Sequence, residues 1–135
     1  MNSQKQVRSL HQRKYRSLSN QFIIEGSRSI ASAIDAKAQI ESIFYTLDFS
    51  KKNPSMIEMV NSIPSKIVSS KEIDKLSPSI TPSGILAVCK IPKYQSFNKS
   101  KNIIFLDRVS DPGNFGTILR TAIWFGIDQI GYSSG

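Results

Sequence analysis

An arginine one helical turn after a glycine, behind a strand and a proline–glycine turn, is the arrangement in this sequence best suited to chemistry. It lies in Leu106–Gly126, where Asp107-Arg108-Val109-Ser110-Asp111-Pro112-Gly113-Asn114 leads into Phe115-Gly116-Thr117-Ile118-Leu119-Arg120. At helical spacing Phe115, Ile118, Leu119, Ala122 and Ile123 form one apolar face, and Gly116, Arg120 and Trp124 form a separate stripe. Arg120 therefore leans back over a residue without a side chain, toward the helix N-terminus and the loop at the carboxyl end of the strand. That edge is where open α/β sheets bind ligands. A fixed cation there stabilises negative charge developing on a substrate oxygen in a water-poor site. Arginine keeps its proton in proteins, with a pKa above about 12. An arginine on a helix flank is usually a solvated charge or a surface ion pair, and the residues alone give Arg120 no further role.

Other residue types point to less. Asp107 and Asp111 have no further carboxylates clustered nearby and are read as fixing the loop, not as metal ligands. Cys89 lies within the apolar run Ile85–Ile91 and is read as a buried, inert thiol. A lone Cys89 and a lone His11 cannot build a structural zinc site. Gly113–Gly116 has neither the Gly-x-Gly-x-x-Gly pattern nor the Gly-Lys-Ser/Thr ending of a phosphate loop, which argues against a nucleotide-binding enzyme. Trp124 points away from the expected core face and is a candidate for a subunit interface or partial burial against a loop.

The elements that position this segment follow from the pattern. A buried-type strand spans Asn102–Leu106, Pro112 and Gly113 make the turn, Asn114 suits the N-cap, and Gly126 suits the left-handed C′ position that ends the helix. A second strand-like run covers Gln129–Ser133. Upstream, strands are expected near Phe22–Glu25, Ile40–Thr46, Lys66–Ser69 and Ile85–Ile91, with helices at Ser27–Ala36, Pro54–Asn61 and Ser70–Leu76. Ser69 and Glu72 stand in capping-box spacing at the start of the last of these. Glu25 and Gly26 are read as a turn after the first strand. Short strands alternating with helices indicate an α/β layered fold. The polar, basic stretch Pro92–Asn102 looks like an interdomain linker. The expected division is a basic arm or helix over 1–20, an α/β domain over 21–93, a linker over 94–101 and the start of a second α/β domain over 102–135.

The composition is that of an ordinary globular chain: 135 residues, 39% hydrophobic and 21% charged. Lys and Arg outnumber Asp and Glu by 18 to 10, a net charge of +8 that favours a polyanionic partner, nucleic acid before anionic membrane. Lys5, Arg8, Arg13, Lys14 and Arg16 precede the first acidic residue, Glu25. Val7, Leu10, Lys14 and Leu18 fall at helical spacing, so a thin stripe can dock while the cations face phosphates. A solvated, frayed terminal helix is the plainer alternative. No run reaches the roughly 18 apolar residues of a membrane span, no signal peptide is evident, and a cytoplasmic protein is expected.

The run Leu-Asp-x-Val-x-Asp-Pro-x-Asn-x-Gly-x-Ile-x-Arg-Thr-Ala followed by Phe-Gly, from Leu106 to Gly126, resembles the first signature motif of the SpoU (TrmH-type) RNA methyltransferases. Lys14-Tyr15-Arg16, Phe22-Ile23-Ile24-Glu25-Gly26 and Thr81-Pro82-Ser83-Gly84-Ile85-Leu86-Ala87-Val88 look like that family's N-terminal substrate-binding domain. The resemblance implies a small α/β/α RNA-binding sandwich followed by the first strand-helix-strand of an α/β-knot (SPOUT) methyltransferase domain. It implies methyl transfer from S-adenosylmethionine to a ribose 2′-hydroxyl of rRNA or tRNA. By the same resemblance Asn114 and Arg120 are catalytic-site residues: Arg120 contacts the substrate phosphate and ribose as an electrostatic anchor, the proton acceptor staying open, and Asn114 shapes the active-site loop. The candidate RNA contacts are Arg8, Arg13, Lys14, Arg16 and Arg108.

The family's second and third motifs, which form the knot, hold S-adenosylmethionine and supply most of the homodimer contact, are not in this sequence. The cofactor site is therefore expected downstream of Gly135, a homodimer is expected of the complete protein, no metal is expected, and this chain alone is expected to be an inactive fragment. A non-catalytic RNA-binding module is the alternative reading.

Overall fold

From Ile85 to Cys89 every side chain of one strand is buried, on both of its faces. The reason lies in the computed structural model, which describes residues 1–93 and 96–133. The strands β1 (Gln21–Glu25), β2 (Ile40–Thr46), β3 (Ser65–Val68) and β4 (Ile85–Lys90) form a sheet in the order β1-β4-β2-β3. The inner strand β4 runs antiparallel to both β1 and β2, and β2 runs parallel to β3.

The pleat sends Phe44, Leu86 and Val88 to one face, with Ile23, and Ile43, Ile85, Ala87 and Cys89 to the other, with Phe22 and Ile24. Helices α1 (Gln4–Ser9) and α6 (Ser70–Leu76) cover the first face, where Val7, Leu10, Ile73 and Leu76 complete the core. Helices α3 (Ser27–Asp35), α4 (Leu47–Lys52) and α5 (Pro54–Met59) cover the second with Ile30, Phe49, Met56 and Val60. This is the three-layer α/β/α sandwich expected from the sequence. The expected β3, Lys66–Ser69, lies one residue early, because Ser69 leaves the strand to cap α6 through the Ser69–Glu72 capping box. The α4 turn was not expected; Thr46, at the end of β2, starts it by accepting a hydrogen bond from the Phe49 amide at 3.1 Å.

The first twenty residues form two helices, not one continuous arm: α1, then α2 (Arg13–Ser19), with a break at Leu10–Gln12. Val7 and Leu10 are buried in the core, whereas Leu18, on the same expected stripe, is 72% exposed. The break turns α2 out of register with α1, so only the first half of the stripe docks.

The chain divides into two compact units, Met1–Lys93 and Tyr94–Gly135. The second contains β5 (Ile104–Leu106), α7 (Pro112–Trp124) and β6 (Ile130–Tyr132), with the two strands parallel. Of the expected linker 94–101, Tyr94 and Gln95 lie outside the described residues, as do Ser134 and Gly135 of the expected second domain. The rest of that linker is bonded to the second unit: the Asn98 amide donates to Gln129 Oε1, the Gln129 amide group donates to the Asn98 carbonyl, and Lys101 pairs with Asp128 at 2.6 Å. The expected strand Asn102–Leu106 is shorter, beginning at Ile104. A Cβ on Gly131 would come within 2.9 Å of the Phe105 ring, which would have to shift to admit it.

Candidate functional site

Helix α7 begins one turn earlier than expected. Asp111, not Asn114, is its N-cap, accepting the Asn114 amide on Oδ2 at 2.6 Å, and Pro112 occupies the first turn. Proline's fixed φ and missing donor suit that turn, which makes the expected Pro112–Gly113 turn the opening of the helix itself. The other end agrees with expectation. Gly126 (φ +71°) sends its N–H to the Ile123 carbonyl while Ile127 N–H reaches the Ala122 carbonyl, a Schellman closure.

With its backbone amide used by Asp111, Asn114 presents an exposed carboxamide that makes no hydrogen bond among the described residues. It lines an open depression of about 470 Å³ with Arg108, Ser110, Asp111 and Thr117. Arg108 sits at φ +52°, its amide donates to Ser133 Oγ, and its exposed guanidinium lies 4.0 Å from Asp107. That screened pair leaves the cation accessible.

Arg120 lies where the helical stripe places it. Its Nη1 is 3.5 Å from the position a Cβ on Gly116 would take, so anything longer than a methyl there displaces the guanidinium. Its Nη2 donates to Thr117 Oγ1 at 3.3 Å, and that hydroxyl donates in turn to the Gly113 carbonyl at 2.9 Å. No carboxylate pairs with Arg120 among the described residues. Arg120 lines a second depression, about 440 Å³, with Thr121, Trp124 and Phe125, and Thr117 is common to both. Asn114 and Arg108 are thus brought together, and Arg120 is joined to them through Thr117. The apolar face is only partly realised: Ala122 is buried and Phe115 packs edge-on against Tyr132 at 5.8 Å, but Ile123 is 68% exposed; Trp124, on the other stripe, is 89% exposed.

The basic candidates of the first unit separate. Arg8 lines a groove of about 610 Å³ together with Lys5, His11, Tyr15 and Lys75. Arg13 and Lys14 are exposed on α2 and do not line it. Arg16 is turned to a structural task, its Nη1 donating to the carbonyls of Leu10 (3.0 Å) and His11 (2.9 Å) that end α1. Lys75 and Tyr15 are not legible in the sequence as partners of Arg8, because the packing of α1 on α6 brings up Lys75 and the break between α1 and α2 brings up Tyr15.

Glu25, expected in a turn, organises the loop ahead of β4. Burial raises its carboxyl pKa, but hydrogen bonds from the Ser77 hydroxyl (2.6 Å), the Ser83 amide (2.7 Å) and the Ser79 hydroxyl (2.9 Å) outweigh that and hold it below 4.5. Burial, aided by the Glu41 charge, pushes the Cys89 thiol up to about 11, in keeping with an inert core cysteine. Among the described residues no three His, Cys, Asp or Glu side chains come together, and no helix is long and apolar enough to cross a membrane.

Comparison with known proteins places these features in a family. Over 130 residues the chain is 31% identical to an uncharacterized tRNA/rRNA methyltransferase of Synechocystis, covering 93% of this chain and 47% of the relative. It is 29% identical to the 23S rRNA guanosine 2′-O-methyltransferase RlmP of Bacillus subtilis, covering 97% of this chain and 51% of that protein. The chain spans about half the length of these curated relatives. A solved structure from Porphyromonas gingivalis, assigned to the TrmH family of RNA methyltransferases, superposes with a TM-score of 0.79 at 29% identity, covering all of this chain and 53% of that one. With residues 2–87 matching the MRM3-like substrate binding domain and the fold continuing into the first SpoU-type strand-helix-strand, the chain belongs to the SpoU/TrmH-type RNA methyltransferase family.

Proposed function

We propose that this chain is the RNA-gripping unit and the RNA-facing part of the active site of an rRNA 2′-O-methyltransferase. The observation that carries this reading is the Arg120 guanidinium, lying over Gly116 without a carboxylate partner and joined through Thr117 to the first turn of α7, which holds Asn114. An unpaired, oriented cation on the helix of a β-α-β unit binds a phosphate and stabilises a ribose oxygen as it loses its proton. Arg120 acts as that anchor, Asn114 orients the ribose or the loop beside it, and Arg108 holds a flanking phosphate. S-adenosylmethionine, which a solved SpoU methyltransferase and a solved rRNA methyltransferase of this fold carry, supplies the methyl group; no residue of this chain is assigned to it. Ribosomal RNA is favoured over tRNA because relatives whose names state one class of RNA, RlmP among them, act on rRNA. A homodimeric, cytoplasmic protein is part of the same proposal.

The test joins this chain to the C-terminal half of the B. subtilis relative and measures methyl transfer from labelled S-adenosylmethionine to ribosomal RNA. Arg120→Ala is expected to lower turnover on the order of 100-fold or more, as removal of an electrostatic stabiliser does, with the circular dichroism spectrum unchanged. Full turnover by Arg120→Ala would reduce this arginine to a surface charge. RNA binding without any turnover in the parent fusion would favour the non-catalytic binding module.

A further inference from the structure

Three cations that no sequence pattern groups together face one groove. Lys5 and Arg8 come from α1 and Lys75 from α6, and Tyr15 of α2, 41% exposed, forms part of the same wall. None of the three cations forms an ion pair among the described residues. No carboxylate lines the groove. On the same helix as Lys75, Glu72 is taken up by Gln4 (2.7 Å) and by the Ser69 amide and hydroxyl, and Asp74 lines a different depression with Asp48 and Lys52. The remaining lining is Ser3, Gln6, Ser9, His11 and Gln12, side chains that donate and accept hydrogen bonds.

The groove is also rigidly held, although its walls are surface helices. Arg16 clamps the carbonyls of Leu10 and His11, His11 Nε2 donates to the Leu76 carbonyl at 2.9 Å, and Gln4 ties α1 to α6. Beneath it Val7, Leu10 and Leu76 are buried. Like charges are thus held together on a fixed frame, at a repulsive cost that a polyanion removes by displacing counterions.

We infer that the α1–α2–α6 groove is the site at which this chain grips unpaired RNA, with successive phosphates on Lys5, Arg8 and Lys75 and one unstacked base on the Tyr15 ring. This rests on the RNA-binding reading above and names the part of the first unit that performs it. A single strand is favoured over a duplex because an exposed aromatic ring offers a face to an unpaired base and nothing to a stacked one. Arg16 and His11 are positioning residues that hold the groove's shape.

The experiment is a fluorescence-anisotropy titration of the full chain with a short labelled oligouridylate and with an RNA duplex of equal length, across a series of salt concentrations. The single strand is expected to bind more tightly. Lys5→Ala, Arg8→Ala and Lys75→Ala should each weaken binding and shallow the salt slope by about 0.7 per lost phosphate contact. Tyr15→Ala should weaken oligouridylate binding roughly ten- to hundredfold, the usual worth of one base stack, and Tyr15→Phe should restore it. Lys37→Ala and Lys51→Ala, outside the groove, serve as charge-matched controls and should leave both affinity and slope close to the parent. If the parent chain binds RNA but the groove variants match these controls, the groove assignment falls and the RNA reading stands. Tighter binding of the duplex with Tyr15→Ala neutral overturns the single-strand assignment. If the parent chain binds neither RNA, the RNA reading itself falls.

Discussion

The strands β4 and β5 begin from similar sequences and meet different fates. Ile85–Cys89 and Ile103–Leu106 are both short apolar runs, yet the first is buried throughout whereas in the second only Leu106 is buried and Phe105 is 64% exposed. The difference is in the partners. The first run has a strand on each side and helices over both faces, and the second has one neighbouring strand and one helix among the described residues. Burial is a property of what surrounds a strand, and the two units divide their tasks accordingly: a dense sandwich that holds a groove, and a thin β-α-β unit that presents a loop.

The largest effect expected from this contrast is at Phe44, fully buried against Leu86, Val88 and Leu76. Phe44→Ala should cost about 3–5 kcal/mol. In native-state hydrogen exchange, protection of the β4 amides should drop while β5 and β6 amides keep theirs. Equal loss in both units would show that they unfold as one and would break the comparison.

Gly131→Ala is the corresponding test of the second unit. The added methyl meets the Phe105 ring and should destabilise β5–β6 by about 1–3 kcal/mol, seen as faster exchange confined to that unit. No change would mean that the thin unit relaxes around the methyl.

Asp111→Ala removes the cap of α7 and should cost about 1 kcal/mol, with the near-terminal amide of Asn114 losing most protection. Asn114→Ala, by contrast, should leave helix stability close to the parent, since its side chain does not cap. The reverse order would restore Asn114 as the N-cap.

The smallest effect concerns pH. Glu25 has a folded pKa below 4.5, so its contribution is fully present above that value and is lost as pH falls through the lower folded value. Acid titration of stability should therefore be less steep in Glu25→Gln than in the parent below 4.5, with the difference confined to the first unit. Parallel curves would mean that the Ser77–Ser83 loop holds without the charge.

Where pattern and neighbourhood coincide, the sequence was legible. The short β-type run Ile40–Thr46 and the Ser69–Glu72 capping box are local, and β2 and α6 stand within the expected bounds. The i, i+4 relation of Gly116 and Arg120 is also local, so the guanidinium lies as expected. Asn114 was misread as a cap because Asp111 and Asn114 are both good capping residues three positions apart. Only the hydrogen bond between them decides which side chain faces the amides.

The basic opening teaches the same point over longer range. Charge counting marked Arg8, Arg13, Lys14 and Arg16 alike, whereas the fold gives Arg8 to a groove, leaves Arg13 and Lys14 on the surface and commits Arg16 to the end of α1. By itself the amino-acid sequence determined the α/β class, the helix that carries Arg120 and the family motif, because each depends on residues within a few turns of one another. The groove, the cap and the depth of each strand were decided by tertiary structure, because each depends on which distant side chain arrives to pair, cover or compete.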